Sequence, residues 1–336
     1  MNFPELTPDL GAIKEARASI AGTIVRTPLL PAGALSAHAG REILLKLESL
    51  QPTGSFKLRG ATNAIGRLDE QQRKRGIGCC STGNHGRAVA HAARRTGTRV
   101  IVCLSELVPD NKVAAICSLG AEVRRVGKSQ DEAQREIDRL VQDEGLIEIP
   151  PFDHPDVIAG QGTIALELLE DRPDLSAIVV PLSGGGLVSG IAVAAKALNP
   201  KIRIIGVSMN RGAAMHESLT AGQPVEVTEA ASLADSLGGG IGLRNRFTFA
   251  ICRALVDMTC LVSEAEIYAG MQALLREQRL VTEGAASVGV AALLANKLRL
   301  DGPTAIIVSG HNVDLEQFRA IAAGQPVRLG DQIVKA

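Results

Sequence analysis

Apolar residues along this chain change their spacing several times, and each change predicts a switch between helix and strand. At the start, Thr7 stands as an N-cap and Pro8 as a first helical residue, with Leu10, Ile13 and Ile20 on one face, which predicts an opening helix. Short aliphatic and β-branched runs follow at 43–47, 100–104, 121–126, 177–181, 202–207 and 304–308. Runs of this length and kind predict strands. Helical patterns lie between them. Two open with Ser129-x-x-Glu132 and Ser263-x-x-Glu266, where hydroxyl and carboxylate can satisfy each other's orphan backbone donors. Repeated strand and helix alternation predicts an α/β protein with parallel sheets covered by helices on both faces. Residues 71–149 read as a compact run closed by Pro150-Pro151. They are expected to form a smaller domain inserted between two parts, 1–70 and 150–336, of a larger one.

Composition narrows the functional classes. The 336 residues carry 36 Lys+Arg against 36 Asp+Glu, with no Trp, one Tyr and six Phe, so neither a basic footprint nor aromatic platforms for nucleic acid are present. The longest apolar stretches, such as 285–295, fall short of the ~20 residues of a membrane span. No membrane partner is expected. The segment Met1-Asn2-Phe3-Pro4-Glu5-Leu6 lacks a basic and then apolar leader pattern, so the cytoplasm is the expected location. The chain ends soon after 304–312, and no added regulatory domain is expected. Six cysteines without a CxxC pair are expected to be buried, reduced thiols.

Three stretches carry candidate chemistry. Between the strand at 177–181 and an apolar helix lies Pro181-Leu182-Ser183-Gly184-Gly185-Gly186-Leu187-Val188-Ser189-Gly190. Glycines at a helix start let backbone N–H groups close around an anion, which the helix dipole also favours. The motif reads as a phosphate cup, with a plain tight turn as the alternative. It is not a dinucleotide fingerprint, because Ser189 holds the third glycine position of GxGxxG and the following strand ends at Ser208-Met209 without an acid for a ribose. Next, Lys57 in Gly54-Ser55-Phe56-Lys57-Leu58-Arg59-Gly60 is flanked by Phe56 and Leu58 at the start of a helical pattern. Partial desolvation disfavours an ammonium and leaves an amine that can condense with an aldehyde. A solvated surface charge is the plainer alternative. A phosphate cup and such a lysine together point to pyridoxal phosphate.

The third stretch, Cys80-Ser81-Thr82-Gly83-Asn84-His85-Gly86, is a polar turn before a helix, suited to a carboxylate. Equally, Ser81 or Asn84 could cap that helix, and His85 could be structural. Near the end, Ser309 stands where the strand at 304–308 gives way to a polar turn, the place where ligands bind in open α/β sheets. The run Ser236-Leu237-Gly238-Gly239-Gly240-Ile241-Gly242 is another place for close backbone approach.

In order, Gly54-Ser55-Phe56-Lys57-Leu58-Arg59-Gly60, Ser81-Thr82-Gly83-Asn84-His85-Gly86, Ser183-Gly184-Gly185-Gly186-Leu187 and Ser309-Gly310-His311-Asn312 resemble the fold-type II pyridoxal-phosphate enzymes of the threonine dehydratase and serine racemase group, over nearly the whole chain. Finer features are most similar to the dehydratase-like enzymes of hydroxyectoine utilisation: Gln51-Pro52-Thr53-Gly54, the extension through Arg87-Ala88, and Leu233-Ala234-Asp235-Ser236-Leu237-Gly238-Gly239-Gly240-Ile241-Gly242. The resemblance implies two open, mostly parallel twisted sheets covered by helices, and a homodimer. It implies that Lys57 holds the cofactor's aldehyde as a Schiff base and then moves the α-proton. Phe56 would pack near the ring, and Asn84 would bond its phenolic oxygen. The backbone through Ser183, Gly184, Gly185, Gly186 and Leu187 would hold the phosphate, and Ser309 would contact the pyridine nitrogen. Ser81, Thr82, Asn84 and His85 would line the substrate carboxylate pocket. Glu283 falls near the cofactor, with a first-turn helix carboxylate as the open alternative.

The implied reaction removes water and then ammonia from a β-hydroxy-α-amino acid: threonine, serine or a hydroxylated diamino acid derived from hydroxyectoine. An amino-acid racemase, a β-replacement synthase and a non-catalytic ligand-binding protein are the alternatives. Racemising relatives place a serine opposite the lysine; here Thr82 holds that position, its added methyl restricts its rotamers, and racemisation ranks below elimination. Residues 208–215 offer no carboxylate before Glu217, so no metal is expected there.

Overall fold

The computed structural model describes residues 7–335 apart from 82, 107 and 109, and, inside helices, leaves the side chains of 111, 112, 130 and 131 undescribed. Strands β1 (Leu29–Pro31) and β2 (Ile43–Lys46) belong to a first sheet, and β3 (Ile77–Cys80), β4 (Val100–Leu104), β5 (Glu122–Arg125) and β6 (Ile147–Glu148) to a second. The first sheet is completed by β7 (Ala177–Pro181), β8 (Arg203–Met209), β9 (Met258–Val262) and β10 (Thr304–Ile307), in the order β1-β2-β10-β7-β8-β9. All its pairings are parallel except β1 with β2. The second sheet, β5-β4-β3-β6, is parallel throughout. A hairpin of β11 (Val327–Leu329) and β12 (Gln332–Val334) follows.

Strand alternation explains why both faces are covered. Along β2, β7, β8 and β10, the residues Ile43, Leu45, Val179, Ile205, Val207 and Ile306 enter one apolar core. Their neighbours Leu44, Ile178, Val180, Ile204, Ala305 and Ile307 enter another. The second sheet divides likewise: Ile77, Cys79, Val102 and Leu104 face the core that includes Leu58, Ala61 and Ile65, and Cys80, Ile101 and Cys103 face Ile137, Leu140 and Leu146. The α/β fold with parallel-rich sheets therefore stands as expected. Five cysteines are buried, Cys117 is exposed, and all six are free thiols. Among the described residues no helix is long and apolar enough to cross a membrane.

Two details differ from the sequence expectation. The opening helix is Leu10–Ile20, capped by the Asp9 carboxylate accepting from the Ala12 N–H at 2.8 Å, so Asp9 and not Thr7 is the cap. Strands β1 and β9 lie at the edges of the first sheet, and half-buried edge strands lack the unbroken aliphatic run that marked the inner ones. Both serine capping boxes form, at Ser129 with Glu132 and at Ser263 with Glu266.

The candidate motifs share one end of the sheets. Ser81 follows β3, the glycine turn follows β7 and Ser309 follows β10, all at carboxyl ends of parallel strands, and β2 leads through the short turn Glu48–Leu50 toward Lys57.

Candidate active site

Lys57 is the first residue of the helix Lys57–Gly66. The loop before it is stitched to the end of β10: the Phe56 N–H donates to the Ser309 carbonyl at 3.0 Å, and the His311 N–H to the Gly54 carbonyl at 2.9 Å. These bonds bring two motifs more than 250 residues apart in sequence side by side. The Lys57 ammonium donates to the Pro151 carbonyl at 2.8 Å and stands 5.3 Å from the centre of the Phe56 ring. The side chain keeps some solvent contact but lies deep among protein atoms. That burial lowers its pKa to about 8, with the Glu283 charge opposing.

The glycine turn opens the helix Gly186–Leu198, and Gly185 caps it at φ 90°, a conformation that favours glycine. A Cβ on Gly184 would stand 2.4 Å from Cδ1 of the Phe152 ring. Phe152 follows Pro151, the acceptor of the Lys57 bond, so this dipeptide spans the distance from the lysine to the glycine turn. The next residue, Asp153, accepts from the backbone N–H groups of Arg246, Phe247 and Thr248 and caps the helix Thr248–Leu255. Thr248 in turn would lie 3.0 Å from a Cβ on Gly185.

Between the two motifs is a buried polar cluster. Asn84, at the start of the helix Asn84–Thr96, donates through Nδ2 to both Glu283 carboxylate oxygens at 2.9 and 3.0 Å. Its Oδ1 accepts from Asn312 Nδ2 at 2.6 Å, and Asn312 also donates to the Thr53 carbonyl. Glu283 occupies the N-cap position of the helix Gly284–Leu294 but makes no side-chain cap bond, so the simple capping alternative does not describe it. The N-cap of the helix Asn84–Thr96 is Gly83, and the Ser81 hydroxyl accepts from the Gly86 N–H of its first turn at 3.0 Å. His85 Nε2 lies 2.7 Å from the Ile149 carbonyl, which can only accept, so the proton is on Nε2. Burial, aided by the Lys57 charge and opposed by the Ile149 bond, lowers the His85 pKa to about 3 and keeps the ring neutral.

Lys57, Phe56, Asn84, Glu283 and Ser309 thus join in one set of contacts, and Pro151-Phe152 links it to Ser183–Leu187. Thr82 lies outside the described residues. The 236–242 glycine run shows no close approach at Gly239 or Gly242, where a Cβ would meet nothing within 4 Å.

Sequence reasoning missed a buried ion network behind the lysine helix. Arg59 forks onto Glu48 through Nε and Nη2 at 2.8 Å each and reaches Glu167 at 2.7 and 2.9 Å. Lys46 reaches Glu167 at 2.5 Å and the Thr27 carbonyl at 2.7 Å. Burial raises the cost of the Glu48 charge, but the Arg59 charge and bonds outweigh it and hold the carboxyl below its usual range. Burial lowers the Lys46 pKa despite its carboxylate neighbours. The available signal was Lys46 itself, a charge inside an otherwise aliphatic strand run.

These residues fit pyridoxal phosphate. A lysine of lowered pKa faces a glycine-built helix start by way of Pro151-Phe152, and three buried polar atoms nearby, His85 Nδ1, Ser55 Oγ and Thr282 Oγ1, have no protein partner among the described residues.

Comparison with known proteins agrees. The family described as "Pyridoxal-phosphate dependent enzyme" matches residues 20–310. A Sinorhizobium fredii protein provisionally named threonine dehydratase is 52% identical over 94% of this chain and 95% of its own. The L-threonine ammonia-lyase of Thermotoga maritima is 40% identical over 96% of this chain and 80% of its own. Among solved structures, maize serine racemase superposes with a TM-score of 0.87 at 34% identity, covering 92% of this chain and 94% of that one. The non-catalytic alternative is set aside by this membership. From Lys57 and its glycine turn to a family match across most of its length, the chain belongs to the pyridoxal-phosphate-dependent enzymes.

Proposed function

We propose that the chain is a dehydratase that removes water and then ammonia from a β-hydroxy-α-amino acid. The observation that carries this reading is Lys57, a desolvated amine of pKa about 8 that is bonded to the Pro151 carbonyl and feels the charge of Glu283, the partner of Asn84. Such an amine is a base near working pH. The relatives' names support the reaction class: L-threonine ammonia-lyase, and in Saccharomyces cerevisiae L-threo-3-hydroxyaspartate ammonia-lyase, 36% identical over 95% of this chain.

Bound pyridoxal phosphate supplies the electron sink for the carbanion left when the α-proton departs. Lys57 would hold its aldehyde carbon and would later accept that proton. The backbone from Ser183 to Leu187 would hold the phosphate, Phe56 would flank the ring, and Ser309 would meet the pyridine nitrogen. Asn84, oriented by Glu283 and Asn312, would meet the phenolic oxygen. Ser81, Thr82 and His85 would line the substrate carboxylate side. The β-hydroxyl leaves as water, and hydrolysis of the released enamine yields a keto acid and ammonia.

The finer parts of the proposal are a hydroxylated diamino acid of hydroxyectoine utilisation as one candidate substrate, a cytoplasmic homodimer, and a division into a larger cofactor-holding domain (1–70 and 150–336) and a smaller one (71–149). The position of the second sheet, within 77–148, supports that division. Racemisation is the second reading, favoured by the likeness to maize serine racemase. Purified, cofactor-loaded enzyme incubated with L-threonine and L-serine should release keto acid faster than D-isomer. D-isomer without keto acid would overturn the dehydratase reading.

A further inference from the structure

We infer that Arg87 and His311 form a subsite for the far end of the substrate, and that this subsite takes a carboxylate. The preferred substrate is then a β-hydroxy amino acid with a second carboxylate, such as a 3-hydroxyaspartate, rather than one ending in a methyl or an ammonium. The inference rests on the dehydratase reading and narrows it.

Arg87 lies three residues after Asn84 in the same helix, so the two side chains share a face. Asn312 joins them: it donates to Asn84 Oδ1 and accepts from the Arg87 guanidinium at its own Oδ1. Arg87 is half-buried, and burial lowers its pKa while the Glu283 charge opposes. Its partner differs from that of Arg59, the fully buried guanidinium, which holds the carboxylates of Glu48 and Glu167 directly. Arg87 hydrogen-bonds a neutral amide oxygen, and no carboxylate lies in ion-pair contact with it among the described residues. A guanidinium has five donors in a fork that matches a carboxylate, so most of this one's capacity remains for a ligand.

His311, an exposed residue, supplies a neutral donor beside it, because partial desolvation and then the Arg87 charge lower its pKa. The pair is held close to the lysine by Gly54. At φ 77°, Gly54 lets residues 311–312 pack onto the loop before Lys57, where a Cβ would stand 2.6 Å from His311 Nε2 and 2.7 Å from Asn312 Oδ1. A second substrate carboxylate would enter near Glu283, and the Arg87 cation offsets that repulsion. An ammonium-bearing diamino acid would be repelled by the same cation.

The test compares kcat/KM for L-threo-3-hydroxyaspartate and L-threonine on the cofactor-loaded enzyme, read as oxaloacetate and 2-oxobutanoate. The dicarboxylate should be favoured by about tenfold or more, and Arg87→Gln should lower that ratio by a similar factor, with Arg87→Lys between. A parallel measurement needs no variant: wild-type enzyme should bind malate about tenfold more tightly than 3-hydroxybutyrate in calorimetry. If Arg87→Gln slows both substrates alike, Arg87 merely balances Glu283 and the inference fails; equal binding of malate and 3-hydroxybutyrate also overturns it. If only D-isomers appear with every amino acid, the dehydratase reading fails, and the malate comparison still decides the subsite.

Discussion

Two buried polar regions flank the helix Lys57–Gly66, and they differ in how completely they are paired. Behind it, Arg59, Lys46, Glu48 and Glu167 form a neutral set of two cations and two anions, with Thr27 and Thr163 filling further hydrogen bonds. In front of it, His85 Nδ1, Ser55 Oγ and Thr282 Oγ1 are buried without a protein partner among the described residues, and Lys57 holds only a carbonyl. A buried charge that is fully paired keeps its proton state and fixes geometry. Polar atoms left unpaired in low dielectric are costly, and they become useful when a ligand completes them. The helix therefore has one side built for rigidity and another built for binding, with Lys57 and Arg59, two residues apart, on different sides.

The sharpest way to break this contrast is at Lys57. Lys57→Ala should lower keto acid release by about 10³–10⁴-fold while circular dichroism shows an unchanged fold; near-normal turnover would remove the lysine from the chemistry. On the paired side the effect should fall on stability instead. Arg59→Met strands Glu48 and leaves Glu167 with Lys46 alone, and it should cost about 3–5 kcal/mol in urea unfolding, whereas a loss under 1 kcal/mol would mean the network is not the rigid element described. Gly184→Ala should cost about 1–3 kcal/mol, since its Cβ would require the Phe152 ring to move, and should weaken cofactor retention on dialysis. The smallest effect concerns pH. Lys57 is protonated below its pKa of about 8, so the rate at which cofactor-free enzyme captures pyridoxal phosphate should rise about tenfold per pH unit from 6 toward 8 and level off above. A rise that continues tenfold per unit well above pH 8 would mean that its amine is not desolvated in solution.

Much of the site was legible in the sequence because its signals are local. A lysine between Phe56 and Leu58, a triple glycine after an aliphatic strand, and a serine at a strand end are each contained in a few residues. The partner relations were not legible. Asn84 and Glu283 are 199 residues apart, and nothing in either motif announces their bond. Nothing in the Ser81 motif announces the bond its hydroxyl accepts from the Gly86 N–H. Thr7 and Asp9 are both good caps, and only the backbone path chose Asp9.

From residue order alone came the alternation of strand and helix, the parallel character of the sheets and the lysine with its glycine turn, because spacing, backbone freedom and side-chain type act over one or two turns of chain. Only the folded molecule decided that Lys46 and Arg59 are neutralised while Lys57 and Arg87 are left with capacity to spare. Desolvation and charge pairing are sums over neighbours from distant segments, and those neighbours meet only when the sheets close.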